Sequence, residues 1–267
     1  MIEALQFEYM QNALLAALLG GIACGVIGSF VVVKKIGYIS GGIAHASFGG
    51  IGLGYLIGVN PLFCLVPFTI ISAWAIGIIS RKANVSEDTA IGILWTTGMA
   101  LGVIFIGLTP GYVPDLFSYL FGNILTIPRS DIYLMAALNA FILAAVLLFY
   151  REFLAISFDE EYARASGLHT LFIYLFLLTL VAVTVVMLIR IVGIILVIAL
   201  LTIPPSIARQ HIINLVPMMV FSVVLGIILT LGGLWGSYIL DIASGATVIL
   251  LLAFAFIVST VIKKIRE

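Results

Sequence analysis

The sequence predicts an all-α polytopic membrane protein with eight or nine transmembrane helices. Three observations carry that prediction. Of 267 residues, 63% are hydrophobic and only 9% are charged, against about 25% charged in a soluble domain, too few to cover the exterior of a soluble fold. The mean hydropathy is +1.31. The apolar residues fall in runs near the 17–25 residues that a bilayer-crossing helix needs, with short polar breaks between them. Twelve Lys and Arg balance twelve Asp and Glu, so no net charge directs the chain to nucleic acid.

The runs follow in order. The N-terminal stretch MIEALQFEYMQN holds Glu3 and Glu8 and no basic residue; lacking the basic region of a secretory signal, the first run, residues 10–33, reads as a permanent span. Lys34 and Lys35 end it. Residues 41–58 and 61–80 are parted by VNP, and RKANVSED leads to 88–108. After 131–150 comes the polar loop REFLAISFDEEYARASG; then 169–189 and 191–208 are parted only at Arg190. RQHIIN precedes 214–234, and GSYILDIA precedes 244–262. The run at 191–208 is short with ill-defined ends, and without it the count is eight. Residues 109–130, TPGYVPDLFSYLFGNILTIPRS, contain three prolines and an apolar piece too short to cross. They read as a re-entrant or short surface helix at about 115–127, since irregular backbone at membrane depth survives only inside protein or beside water. Cys24 and Cys64 sit in apolar runs without metal-type spacing and read as small buried hydrophobes.

Basic residues set the orientation. With the N-terminus outside and the C-terminus cytoplasmic, Lys34, Lys35, Arg81, Lys82, Arg151, Arg164, Arg209, Lys263, Lys264 and Arg266 all face the cytoplasm. Only Arg129 and Arg190 stay outside, a split of ten to two.

The stretch GGIAHASFGGIGLG, residues 41–54, is six parts glycine in fourteen. Gly42, Ala46, Gly50, Gly54 and Gly58 recur every four residues. Helices in lipid associate where small residues let backbones approach, so these five read as a packing ridge. His45 lies about 100° around the helix from Ala46, one turn from Gly41 and Gly49, and reads as having open space about its ring. Its structural role would be a hydrogen bond to a carbonyl of the next helix. Its functional role follows from two rules: ionisable groups inside spans face pathways, and imidazole is a common transition-metal ligand.

No GxxxxGK[ST] occurs and no lysine follows a glycine, so the chain has no P-loop for ATP. Driven transport therefore needs another polypeptide and a surface on which it docks. The candidate surface is ISFDEEYARASGLHT, residues 156–170, which on its own features reads equally as an ordinary solvated loop helix. A short helix is expected from Phe158 to Gly167, with Asp159, Glu160 and Glu161 in its first turn, where the dipole favours negative charge. Gly167 is its expected C-cap. Ala163, Ala165 and Ser166 give a slim surface suited to a cleft.

The chain resembles the membrane permease subunits of ABC-type importers for zinc, manganese and iron. Six blocks carry the resemblance in order: VVVKKIGYISGGIAHASFGGIGLG, EDTAIGILWTTGMALGVIFI, DLFSYLFGNILTI, SFDEEYARASGL, VGIILVIALLTIPPSIA and LDIASGATVILLLA. The resemblance implies a type II-like importer permease fold forming one transmembrane domain, in the plasma or inner membrane of a prokaryote. It also implies a homodimer, two cytoplasmic ATPase subunits and an extracytoplasmic metal-binding protein. The chain would then be no enzyme and hold no permanent cofactor; zinc, manganese or iron passes as cargo.

By the same resemblance, SFDEEYARASGL is the coupling helix and His45 the family histidine proposed to line the metal route. Many zinc and manganese members carry an aspartate four residues before that histidine, where this chain has Gly41. Asp241, in LDIASGATV, attracts incoming cations, docks the binding protein, or caps a helix N-terminus. Pro204 and Pro205 match a family proline and suggest a kink near the route. Two other readings stand beside this one: a stand-alone secondary metal carrier, and a permease for cobalamin- or siderophore-type metal chelates.

Overall fold

The computed structural model describes residues 7–83, 85–111, 122, 124 and 127–266. The expected re-entrant helix at about 115–127 lies almost wholly outside the described residues. Among them the chain forms eleven α-helices and no strand: α1 (Glu8–Val33), α2 (Gly37–Ala46), α3 (Phe48–Ile57), α4 (Pro61–Lys82), α5 (Glu87–Gly107), α6 (Arg129–Leu148), α7 (Tyr150–Phe158), α8 (Glu160–Ala165), α9 (Thr170–His211), α10 (Leu215–Leu240) and α11 (Ser244–Arg266).

Among the described residues eight segments are each long and apolar enough to cross a membrane: α1, α4, α5, α6, the Thr170–Ile189 and Val192–His211 parts of α9, α10 and α11. The expected span at 41–58 is built differently. α2 and α3 are ten residues each and meet at Ser47, whose hydroxyl donates to the Ala44 carbonyl at 2.6 Å. Neither crosses alone, whereas two such helices end to end reach about 30 Å. The break in α9 is at Gly193 (φ 76°, ψ 163°), a conformation open essentially to glycine alone. It falls three residues after Arg190, where the sequence suggested it.

The helices divide into two compact units. The first holds α1, α6, α9 from Met187 onward, α10 and α11. Here α1 and α10 approach closely because Gly21 and Gly25 face Ile227 and Val223. A methyl at Gly25 would lie 2.6 Å from the Val223 nitrogen. Gly28 faces the Leu201 carbonyl, which Pro205 releases from its helical bond because proline lacks the donor four residues on. The Pro205 ring packs against the same glycine, and Pro204 lies near Gly226. α9 keeps helical φ/ψ through Pro204 and Pro205 and departs from them at Gly193. Two amides fasten the unit: Asn12 Nδ2 donates to the Ile127 carbonyl at 2.9 Å, and Asn139 Nδ2 to that of Leu19 at 2.7 Å.

The second unit holds α2 to α5, α7, α8 and α9 up to Val186. Asn60 caps α4 by accepting from Leu62 N at 3.1 Å, with Pro61 as first residue, where proline's missing donor costs nothing. Ser86 caps α5 by accepting from Thr89 N at 3.2 Å. Trp74 Nε1 donates to Thr179 Oγ1 at 2.9 Å and so links α4 to α9. Buried hydroxyls in both units, such as Thr69, Thr184 and Thr230, donate to the carbonyl four residues back. That satisfies them within their own helix.

Candidate functional site

The segment read as a coupling helix is built as a capped unit. Asp159 is extended (φ −149°, ψ 99°), and its carboxylate accepts from Tyr162 N at 2.8 Å. At the other end Gly167 is left-handed (φ 85°). Its N–H donates to the Arg164 carbonyl at 3.0 Å, and the Leu168 N–H donates to Ala163 at 3.1 Å. This pair of bonds is a Schellman motif, in which glycine tolerates the left-handed residue that other side chains resist.

Burial divides the segment into two faces. Ala163 is 1% exposed and packs inward, so it does not belong to the slim outward surface expected for it. The outward face carries Glu161, Arg164, Ala165, Ser166 and Gly167. Phe158 and Tyr162 stand out on it at 57% and 69% exposure, which makes this face aromatic as well as small. Glu160 is turned away from it. Its carboxylate meets Arg81 at the end of α4, with Nη1–Oε1 at 2.5 Å and Nη2–Oε2 at 2.7 Å. The Arg81 guanidinium also lies 4.0 Å from the centroid of the Tyr174 ring, and the Tyr174 hydroxyl donates to Glu87 at 2.8 Å.

His45 occupies the last turn of α2. Its ring is not in open space: it lies flat against Trp95 of α5, with centroids 4.0 Å apart and planes 8° from parallel. Nδ1 is buried without a hydrogen-bond partner among the described residues, so that nitrogen donates to no neighbouring carbonyl. Among the described residues no three His, Cys, Asp or Glu side chains group as a metal cluster. Asp241 lies in the other unit. It is the exposed, left-handed C-cap of α10 (φ 53°, ψ 47°), a conformation that Asp tolerates better than most residues. It therefore does not cap the N-terminus of α11, where Thr247 N bonds the Ala243 carbonyl at 3.1 Å.

The small residues around His45 serve two neighbours. Gly42 faces Ile91 of α5, and Ala46 faces Gly98, where a methyl would lie 2.6 Å from the Ala46 Cα. Gly50 and Gly54 instead face Leu65 and Pro61 of α4. Each step of four residues overshoots a 3.6-residue turn by about 40°, and the chain passes from α2 to α3 at Ser47, so the ridge begins on α5 and ends on α4. Gly58 is the left-handed C-cap of α3 (φ 76°), and a methyl there would meet nothing among the described residues. Gly49 and Gly52 complete the α5 contact, at Gly98 and Gly102. On α5 the contacting residues Ile91, Trp95, Gly98 and Gly102 recur at helical spacing, a periodicity that was present in the sequence.

Comparison with known proteins extends this picture. The ABC 3 transport family matches residues 6–263. An uncharacterized membrane protein of Synechocystis sp. is 47% identical, over 99% of this chain and 94% of the relative. The manganese transport system membrane protein MntC of Halalkalibacterium halodurans is 37% identical, over 95% of this chain and 87% of that protein. The solved structure titled PsaBC from Streptococcus pneumoniae in complex with Fab superposes with a TM-score of 0.86 at 32% identity, covering 97% of this chain and 93% of that one. The chain belongs to the ABC 3 transport family, the metal-importer permeases that its sequence motifs resemble.

Proposed function

We propose that the chain is the permease subunit of an ATP-driven importer of divalent transition metal ions, with manganese as the favoured cargo over zinc and iron. The observation that carries the reading is the capped α7–α8 segment. A six-residue helix fastened at both ends presents Phe158, Tyr162 and Glu161 outward, as a docking element for a separate ATPase should. Manganese is favoured because relatives at 34–37% identity are named as manganese transport proteins.

In this reading two copies of the chain pair, two ATPase subunits engage the α7–α8 segments from the cytoplasm, and an extracytoplasmic protein delivers the ion. Hydrolysis swings the helices between outward-open and inward-open forms. His45 offers one imidazole nitrogen to the passing ion. With Gly41 in place of a carboxylate the site binds weakly, which suits a conduit that must release what it takes up. Asp241 adds a negative charge near the outer ends of the spans. The N-out, C-in orientation rests on the ten-to-two partition of basic residues, and impermeant maleimide checks it. In a Cys64→Ser background, Lys82→Cys and Lys264→Cys label from the cytoplasmic side and Pro110→Cys from outside.

The test of function is metal-stimulated ATP hydrolysis and uptake by the reconstituted complex with its binding protein. Manganese should stimulate both above zinc and iron. Uptake by the chain alone, without an ATPase subunit, would establish a secondary carrier instead.

A further inference from the structure

We propose that Arg81 is a positioning residue that clasps the coupling helix to the membrane helices, so that movement of α8 is passed to α4, α5 and α9 rather than lost. The inference rests on the reading of α7–α8 as the ATPase docking segment.

The argument begins with how loosely α8 would otherwise be held. It has six residues, it is entered through an extended Asp159, and it is left through the turn at Gly167. Only Ala163 on it is buried. A single small side chain fixes position but resists rotation poorly. Glu160, the first helical residue, supplies the missing restraint through both carboxylate oxygens on the two terminal nitrogens of Arg81. A bidentate fork of this kind fixes direction as well as distance.

Arg81 is itself held. The Tyr174 ring lies 4.0 Å from its guanidinium carbon, and the Tyr174 hydroxyl is engaged by Glu87. Glu160, Arg81, Tyr174 and Glu87 stand respectively on α8, at the end of α4, near the start of α9 and at the start of α5. Three helices of one unit, α4, α8 and α9, thus meet at one cation, and the Tyr174 hydroxyl ties α5 to them through Glu87. An isolated exposed ion pair is worth little, but these side chains are only 20% and 27% exposed, and the pair belongs to a network.

The clasp also has somewhere to lead. Eight residues, or about two turns, along α5 from Glu87 is Trp95, on which His45 is stacked. α5 is a rigid element in direct contact with α2 and α3 through Gly98 and Gly102. Displacement of α8 therefore acts on the helix that carries the His45 platform.

The experiment uses the full complex in proteoliposomes with binding protein and manganese, and reads ions taken up per ATP hydrolysed, per folded complex. Arg81→Gln should leave ATPase co-purification and basal hydrolysis unchanged and lower the uptake-to-hydrolysis ratio about 2- to 30-fold. Tyr174→Phe keeps the ring and frees Glu87, and should lower the ratio by less. In a double-mutant cycle, Arg81→Gln with Glu160→Gln should lose no more than the larger single loss, because both break one contact. A normal ratio in Arg81→Gln, or losses that multiply in the double variant, overturns the proposal. Should Arg81→Gln fold poorly, a normal ratio in Glu160→Gln, which breaks the same fork from the other side, overturns it equally. Gly167→Trp separates the underlying reading: unchanged ATPase co-purification in that variant defeats the docking segment itself, whatever Arg81 does.

Discussion

The His45 imidazole lies flat on the Trp95 indole, 4.0 Å between centroids and 8° from parallel, with Nδ1 buried and without a partner among the described residues. A ring held by stacking leaves Nδ1 uncommitted to any hydrogen bond among the described residues. That arrangement separates the shape of the side chain from its chemistry.

His45→Phe uses this separation. The aromatic ring retains the stack on Trp95, a contact worth about 0.5–1.5 kcal/mol beyond area burial, but brings no ligand nitrogen. Thermal stability should stay within about 1 kcal/mol of the parent, while manganese uptake per folded complex falls. His45→Ala should lose both the stack and uptake. Uptake at the parental rate in His45→Phe would place the histidine among packing residues and remove it from the metal route.

The close crossing beside His45 predicts a stability contrast. A methyl at Gly98 would lie 2.6 Å from Ala46 Cα, and one at Gly102 would lie 2.7 Å from the Phe48 carbonyl oxygen. Backbone cannot yield as a side-chain tip can. Gly98→Ala and Gly102→Ala should therefore each cost about 1–3 kcal/mol in thermal unfolding. Gly92 and Gly107, on the same helix, have nothing within 4 Å; alanine there should be neutral or slightly stabilising, since glycine weakens a helix interior. Equal effects at the four positions would refute the close crossing.

The membrane class, most of the span positions and the C-cap of α8 were legible in the sequence because each is local. Apolar run length decides crossing, and Gly167 suits a left-handed C-cap because it has no side chain to clash there; Asp159, read as a first-turn carboxylate, is instead the N-cap. The partners of His45, Glu160 and Ala163 were not legible, because they depend on which helix lies opposite. Reading Gly42 to Gly58 as one ridge ignored the drift between a four-residue step and the helical turn, and so assigned to one neighbour a surface that two helices share. The stripe Ile91, Trp95, Gly98 and Gly102 was visible as a period but had no partner until α2 and α3 were placed beside it. Pro204 and Pro205 drew attention from Gly193, whose single left-handed φ interrupts α9.

The outward face of the α7–α8 segment predicts where binding strength lies. Phe158 and Tyr162 are the exposed aromatics there, and aromatic anchors dominate interfaces of this kind. Phe158→Ala and Tyr162→Ala should weaken ATPase co-purification about tenfold or more, with the permease unfolding at an unchanged temperature. Glu161→Lys should weaken it through charge mismatch. Ala163→Ser faces inward and should act through stability alone. ATPase recovery that is unchanged in the aromatic variants yet reduced in Ala163→Ser would mean that this face is not the docking surface.

Gly41 offers the most direct test of what His45 does. It sits one turn before the histidine on α2 and is buried, so Gly41→Asp introduces a carboxylate where an ion would be its natural counter-charge. Without metal the variant should be less stable than the parent, because a buried charge lacks compensation. With manganese it should be stabilised by mass action, by about 2.7 kcal/mol at a hundredfold excess over the dissociation constant. Tighter holding slows release, so uptake should fall even as metal-dependent stabilisation rises. Both effects require the nitrogen as well as the carboxylate, and Gly41→Asp with His45→Phe should abolish the manganese-dependent shift. If the shift persists in that double variant, the carboxylate binds the ion with some other partner and His45 is no ligand; if no shift arises in Gly41→Asp alone, the ion does not pass this turn of α2.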